Sequence, residues 1–191
     1  MEVIETGIEG VVILRPKIFE DARGYFYESF SQRIFHKEVA QTHFVQDNQS
    51  CSVRGVIRGL HFQRPPHTQA KLVSCVKGRV MDVAVDIRKG SPTYGRYVAA
   101  ELSEHNHLQF YIPHGFAHGF SVLSDVAVFQ YKCDNYYHPE ADGGIYLFDP
   151  TLNIDWGIAI TDAILSEKDH KHPPLSEFDS PFIYNADKDI I

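Results

Sequence analysis

Residues 79–87 read Arg79-Val80-Met81-Asp82-Val83-Ala84-Val85-Asp86-Ile87. Met81, Val83, Val85 and Ile87 share one parity, and Asp82 and Asp86 fall on the other. Successive side chains of a strand point to opposite faces, so this period of two predicts β-structure. Similar stretches lie on both sides of it. The expected strands are Gly10–Leu14, Gly24–Ser29, Val53–Phe62, Lys71–Lys77, Arg79–Ile87, Tyr97–Leu102, Leu108–Ile112, Phe116–Leu123 and Val126–Cys133. Turn signals separate them, notably Lys77-Gly78, Lys89-Gly90-Ser91-Pro92 and Ser124-Asp125. Many short strands with frequent turns predict a mainly β fold, either sandwich or barrel. Helix is scarce. One is expected over Ser31–Ala40, with Ser31 as N-cap and Ile34, Phe35 and Val39 as its apolar side. Two short helices are expected near Asp162–Ile164 and Ser166–His170, before Pro173-Pro174 ends helical structure. A single domain is expected over residues 1–184, with a tail at 185–191 that frays or pairs with a partner chain.

The chain has 191 residues, enough for one sizeable core, and its 43% apolar and 23% charged composition is that of a globular protein. With 18 basic and 25 acidic residues the net charge is −7, which argues against nucleic acid as a partner because phosphate binding needs a basic face. Three widely spaced cysteines, Cys51, Cys75 and Cys133, make neither a disulfide framework nor a paired metal knuckle, and suit a reducing cytoplasm. The opening residues MEVIETGIEG lack the basic and apolar regions of a signal peptide. No apolar run approaches membrane-spanning length, so no membrane partner is expected.

Five segments carry residues suited to chemistry. In Arg58-Gly59-Leu60-His61 strict alternation separates the arginine from the histidine, and a bulge at Gly59 would reunite them on one side. Lys71 shares parity with Val73 and Cys75, so it either snorkels from a strand end or points inward and needs an anionic partner. Pro113-His114-Gly115-Phe116-Ala117-His118 has the Pro-x-Gly-x-x-His spacing of the second cupin motif. Where the first cupin motif would place His-x-His this chain has His61-Phe62-Gln63, so a metal is not expected. The pairs His105-x-His107 and His170-x-His172 lie in polar, turn-like segments and read as solvated. Tyr131 shares parity with Ala127, Phe129 and Cys133 and is expected to point inward, as a core tyrosine or a proton donor. Ser166-Glu167-Lys168-Asp169 reads as a capping box, or else Asp169 holds His61 and fixes its tautomer.

Together with Phe19-Glu20-Asp21-Ala22-Arg23-Gly24-Tyr25-Phe26 and Gln46-Asp47-Asn48-Gln49-Ser50, these segments resemble the dTDP-4-dehydrorhamnose 3,5-epimerase family along nearly the whole chain. The resemblance implies a cupin-like antiparallel jelly-roll barrel with a few short helices, no cofactor, no metal and a homodimer. It implies that His61 is a general base, Asp169 its dyad partner, Tyr131 the opposing acid and Lys71 the cation at an enolate oxygen. It further implies that Arg23, Phe26, Glu28, Gln46, Asn48, Arg58, Lys71, His118 and Lys168 line a sugar-nucleotide site, with Tyr137 stacking on the thymine. Asp142, which stands where relatives often carry Glu, is implied to line the same substrate site. The implied substrate is dTDP-4-dehydro-6-deoxy-D-glucose, whose C4 ketone acidifies the hydrogens at C3 and C5. Removing one gives an enolate, and a proton returned to the other face inverts the centre. An imidazole with an unperturbed pKa of roughly 6.5 suits the base and a tyrosine suits the acid. Three other readings compete: a mono-epimerase acting at C3 or C5 only, a non-catalytic sugar-nucleotide-binding cupin, and a metal-dependent cupin enzyme. The exposed strand edges and the apolar segment Val11–Leu14 are compatible with pairing across the dimer. His61→Ala is expected to abolish turnover while thymidine diphosphate still binds, as calorimetry would measure. An equal loss of nucleotide affinity in a folded variant would make His61 a binding residue instead.

Overall fold

The computed structural model describes residues 1–186, so residues 187–191 of the expected tail lie outside the described part. In chain order the strands begin with β1 (Glu2–Glu5), β2 (Val12–Arg15), β3 (Phe19–Asp21), β4 (Gly24–Phe26), β5 (Gln46–Val53), β6 (Ile57–Gln63) and β7 (Lys71–Lys77). They continue as β8 (Arg79–Asp86), β9 (Tyr97–Ser103), β10 (Gln109–Ile112), β11 (Phe116–Val122), β12 (Val126–Cys133) and β13 (Asp142–Gly144), and a short helix, α1 (Gln32–Glu38), lies between β4 and β5. Two sheets face each other, in the orders β1-β2-β10-β7-β12-β5 and β13-β6-β11-β8-β9, and β3-β4 forms a separate hairpin. Pairing within all three is antiparallel. This is the jelly-roll barrel that the resemblance implies.

Three apolar layers hold it together. Between the sheets lie Val73, Phe110, Phe129, Val80, Leu102 and Phe120 with their neighbours. The outer face of the five-stranded sheet packs Val83, Val85 and Ile87 against Ile145, Leu147 and Trp156 of the chain after β13. The outer face of the six-stranded sheet packs Leu14 and Leu72 against Phe35 of α1. A strand buried on both faces has no solvent side, and β8 is such a strand. Its Met81–Val85 parity faces the outer layer, and the other parity, which carries Asp82 and Asp86, faces the barrel interior. Both aspartates are 0% exposed. Asp86 is held by Arg88, Ser91 and Thr93 at 2.6–3.0 Å, which meets the requirement that a buried charge be paired.

Several expectations need correction. The stretch Val53–Phe62 is two strands, because a turn at Arg54-Gly55 reverses the chain between β5 and β6. Ser31 occupies the N-cap of α1 but makes no capping hydrogen bond from its side chain. The segments near Asp162 and Ser166 form only 3-10 turns, at Ile160–Asp162 and Asp169–Lys171. The segment Val11–Leu14 is largely buried in its own chain's core, so it offers no apolar face to a partner. Strands β1, β3 and β13 were not expected, being three or four residues long and lacking apolar alternation.

The bulge anticipated at Gly59 is present. His61 pairs with His118 and Arg58 with Phe120, so β6 uses one residue more than β11 over the same span. Gly59 has φ +140°, and a Cβ there would lie 2.5 Å from Gly119 Cα. Only glycine tolerates both demands. Gly59→Ala is expected to destabilise the fold by on the order of 1–3 kcal/mol, read as a lowered urea midpoint. An unchanged midpoint would show that the bulge accommodates a side chain.

Candidate active site

The inward parity of the strands around the barrel mouth supplies the site. On β6 the bulge turns Arg58 and His61 to the same side, and both line a cleft of about 460 Å³. Lys71, His118, Tyr131 and Asp169 line it too, over a floor that includes Phe120 and Phe129. An adjoining cleft of about 350 Å³ shares His61, Lys71, Tyr131 and Lys168, and adds Gln46, Asn48, Tyr137 and Asp142. The two form one groove, with an apolar-floored end at the barrel and a polar end at edge strand β5.

His61 Nε2 lies 2.5 Å from Asp169 Oδ1, and Ser166 Oγ donates to Asp169 Oδ2 at 2.8 Å. The backbone N–H of Asp169 also donates to Ser166 Oγ, but the 3-10 turn begins at Asp169 with Lys168 as its N-cap and no side-chain cap, so this is not a capping box, and Asp169 instead holds His61. With an ionised carboxylate at Nε2, the imidazole carries its proton there and keeps Nδ1 as its basic nitrogen. Asp169 is 2% exposed. Burial alone would raise its carboxyl pKa, but the bonds from His61 and Ser166 and the neighbouring imidazoles together hold it below the ordinary value.

Lys71 opens β7 opposite Cys133 and Ile112, and its ammonium sits 5.8 Å from the centre of the Tyr131 ring. It therefore points inward, with Val73 and Cys75. Burial pulls its pKa down, and the nearby Cys133, Asp82 and Asp142 work against that fall. Tyr131 is only partly buried, yet burial pushes its phenol up, so it holds its proton at neutral pH. His118 Nε2 lies 3.0 Å from Asp82 Oδ1 inside the barrel. Burial disfavours charge on both, pulling His118 down and pushing Asp82 up.

At the polar end, Gln46 Nε2 donates to Asn48 Oδ1 at 3.0 Å, and the Tyr137 backbone N–H donates to Gln46 Oε1 at 3.1 Å. The Tyr137 ring stands 53% exposed, with a face available for stacking. Lys168 pairs with Asp142. Arg58 donates through Nε and Nη2 to Ser52 Oγ.

Three expected residues are not in this groove. Arg23 is on the β3–β4 hairpin, paired with Asp21 and otherwise exposed. Phe26 is 71% exposed on the same hairpin. Glu28 lines a different hollow, beside Met1 and α1. Within one chain the hairpin projects away from the groove it was expected to line.

Some participants were not anticipated. Asp82 reads in the sequence as part of the polar parity of its strand, and nothing there signals that it faces His118 inside the barrel. Ser50 Oγ is buried in the groove without a hydrogen-bond partner among the described residues. His172, expected to be solvated, is instead seated beside the dyad, its side chain 11% exposed. Two groups among the described residues bring three metal-ligating side chains together: His61, Asp169 and His172, and His67, His138 and Glu140.

A jelly roll whose mouth holds a carboxylate-backed imidazole, a protonated tyrosine and a half-buried lysine defines a class of protein. It is built to move protons at carbon beside a carbonyl, with a cation for the oxygen that becomes negative. The family model for dTDP-4-dehydrorhamnose 3,5-epimerase matches residues 5–177, and the chain belongs to that family. The epimerase of this name from Escherichia coli is 53% identical over 178 residues, 93% of this chain and 96% of that one. The crystal structure of the Legionella pneumophila enzyme in complex with dTDP-4-keto-L-rhamnose superposes with a TM-score of 0.93 at 48% identity, covering 97% of this chain and 99% of that one. A 3'-monoepimerase from Streptomyces bikiniensis, in complex with dTDP-quinovose, gives 0.84 at 34% identity over 91% and 87%.

Asp169→Asn is expected to lower turnover by on the order of 10²–10⁴-fold, because the amide neither stabilises an imidazolium nor enforces the tautomer. The lowered carboxyl also has a linkage consequence. A group whose folded pKa is depressed adds stability above its unfolded value, about 3.9, and that stability is lost as pH falls through the folded value. The stability gap between wild type and Asp169→Asn in urea should therefore be full above about pH 5 and shrink as pH falls below about 4. A gap that is constant with pH would mean the carboxylate's charge contributes nothing.

Proposed function

We propose that this protein is a dTDP-4-dehydrorhamnose 3,5-epimerase that converts dTDP-4-dehydro-6-deoxy-D-glucose to dTDP-4-dehydro-L-rhamnose. The observation that carries the reading is the convergence of His61, Asp169, Lys71 and Tyr131 on one groove. His61 Nδ1 takes the proton alpha to the C4 ketone, and Asp169 stabilises the imidazolium that forms. The ammonium of Lys71 meets the oxygen as it becomes an enolate, so its attraction is greatest where the barrier lies. Tyr131 returns a proton from the opposite face, and the phenolate regains one from solvent. The imidazolium releases its proton to solvent, and repetition at the second carbon completes the double inversion.

The groove's polar end suits the nucleotide. Tyr137 stacks on the thymine, Gln46 and Asn48 present amides, and Arg58, His118 and Lys168 face the sugar and diphosphate. The pairing of Lys168 with Asp142 supports a role for Asp142 as a positioning partner of that lysine. Arg23, Phe26 and Glu28 complete the site from a second copy of the chain. The β3–β4 hairpin supports this homodimer, because it exposes Phe19, Tyr25 and Phe26 and sits outside its own groove. We place the enzyme in the cytoplasm, on the strength of its three free cysteines. No helix among the described residues is long and apolar enough to cross a membrane.

The likeness to a 3'-monoepimerase keeps a second reading alive, that only one carbon is inverted. Proton NMR in deuterium oxide separates the two, with substrate and no added metal or nicotinamide. Deuterium at both C3 and C5, with conversion to the L-rhamno ketone, is the expected outcome. Deuterium at one carbon would make the protein a mono-epimerase, and no exchange would reduce it to a binding protein.

A further inference from the structure

His172 has no role in the chemistry described so far, yet the fold builds a seat for it. The residue pairing with His61 across the β6–β13 ladder is Gly144. A Cβ on Gly144 would meet His172 Nε2 at 2.4 Å, Cδ2 at 2.6 Å and Cε1 at 2.7 Å. The imidazole thus occupies the space that a side chain at position 144 would fill. Its backbone is fixed from behind, where the Tyr146 N–H donates to Pro173 O at 2.9 Å and the Leu175 N–H to Asp149 Oδ2 at 2.6 Å.

The ring is therefore held in place, but its Nε2 is buried and has no hydrogen-bond partner among the described residues. It points toward Asp169 Oδ1 and stops at 3.9 Å, beyond hydrogen-bond reach. The His172 ring stands edge-on to His61, with centroids 5.7 Å apart. One ligand atom from each of His61, Asp169 and His172 lies within 4.8 Å of the other two. A buried polar atom without a partner carries a cost, and this one stands beside an imidazole and a carboxylate, His61 and Asp169, that themselves line the groove.

We propose that His61, Asp169 and His172 form a site for a divalent transition metal, of the zinc class, whose occupancy silences the base. Two imidazoles and one carboxylate are a three-ligand zinc set, with a fourth position for water. Tetrahedral ligands at zinc distances lie about 3.3 Å apart, so the His61–Asp169 contact opens and His172 closes inward. Rotation of the two rings supplies that movement.

The inhibitory consequence follows from the tautomer. The metal takes the Nε2 lone pair of His61, so the proton held there leaves to water. Nδ1 takes one proton from water, and the ring stays neutral. No oxidant or reductant is involved. The nitrogen that would receive the substrate proton is now N–H and has no lone pair to offer. This inhibitory half rests on the proposed function, whereas metal binding itself does not.

The test uses the full-length protein after chelator treatment. Cobalt(II) and then zinc(II) are titrated in, with calorimetry and the visible d–d absorption of cobalt as readouts. One ion per chain at micromolar concentration is expected, with a tetrahedral-type cobalt band that zinc displaces. His172→Ala is expected to weaken binding by at least about tenfold. If that variant does not fold, His172→Phe retains a ring and removes the nitrogen. His67→Ala, which dismantles the other histidine cluster, is expected to bind like wild type. Deuterium exchange into substrate should stop in step with zinc binding, recover with chelator, and resist zinc in the His172 variant.

Absence of a stoichiometric cobalt band in wild type would overturn the site. So would loss of binding in His67→Ala instead of His172→Ala. Exchange without metal binding would sink this inference alone. Metal binding by a protein whose metal-free form shows no exchange would sink the proposed function alone, and exchange that persists with zinc bound would overturn the inhibitory half.

Discussion

Two glycines in close approach set the geometry of this barrel. Gly59 on β6 and Gly119 on β11 face each other so tightly that a Cβ on either would collide with the other's backbone. That contact accommodates the extra residue of the β6 bulge, and the bulge decides where the chemistry goes. Without it, alternation would leave Arg58 and His61 on opposite faces of the sheet. With it, both enter the groove, and His61 meets His118 across the ladder on one side and Gly144 on the other.

The second constraint is that charge inside a barrel must be answered. Asp82 answers His118, Asp169 answers His61, and Asp86 answers Arg88. Each carboxylate is almost fully buried. Such pairs contribute little net stability compared with apolar packing of the same volume. Their value lies in orientation: they fix which ring nitrogen holds a proton and hold each ring in place. Lys71 differs, because among the described residues no carboxylate pairs directly with its ammonium. Burial lowers its pKa while Asp82 and Asp142 support the charge from a distance. A lysine held in this way has unspent attraction for an oxygen that turns negative during reaction.

The dyad also joins two parts of the chain distant in sequence. His61 belongs to the barrel wall, and Asp169 to the segment that packs Leu147, Trp156 and Leu175 onto the outer face of the five-stranded sheet. The apolar burial of that segment, at roughly 1.5–3 kcal/mol per large side chain, is what carries the carboxylate to the imidazole. Stability and chemistry are thus coupled through the outer layer. The same segment delivers His172, so the metal site proposed above depends on that packing as well.

Local pattern alone was enough for much of this. The period-two stretches announced the strands, and parity correctly turned Tyr131 inward, because those properties belong to single segments; for Lys71 parity left a snorkelling and an inward reading open, and the structure chose the inward one. The residue types at 61, 71, 131 and 169 were legible for the same reason. What pattern does not carry is the far side of each contact. Asp82 and Asp86 read as the polar parity of β8, but that face looks into the barrel because the later segment 145–182 covers the other one. His172 read as solvated from its polar neighbours, yet a missing Cβ at Gly144 gives it a buried seat. Arg23, Phe26 and Glu28 sit in the expected motif, but one chain does not bring them to the groove. In each case the deciding quantity is a distance between residues far apart in sequence, and burial and close packing exist only once those residues have met.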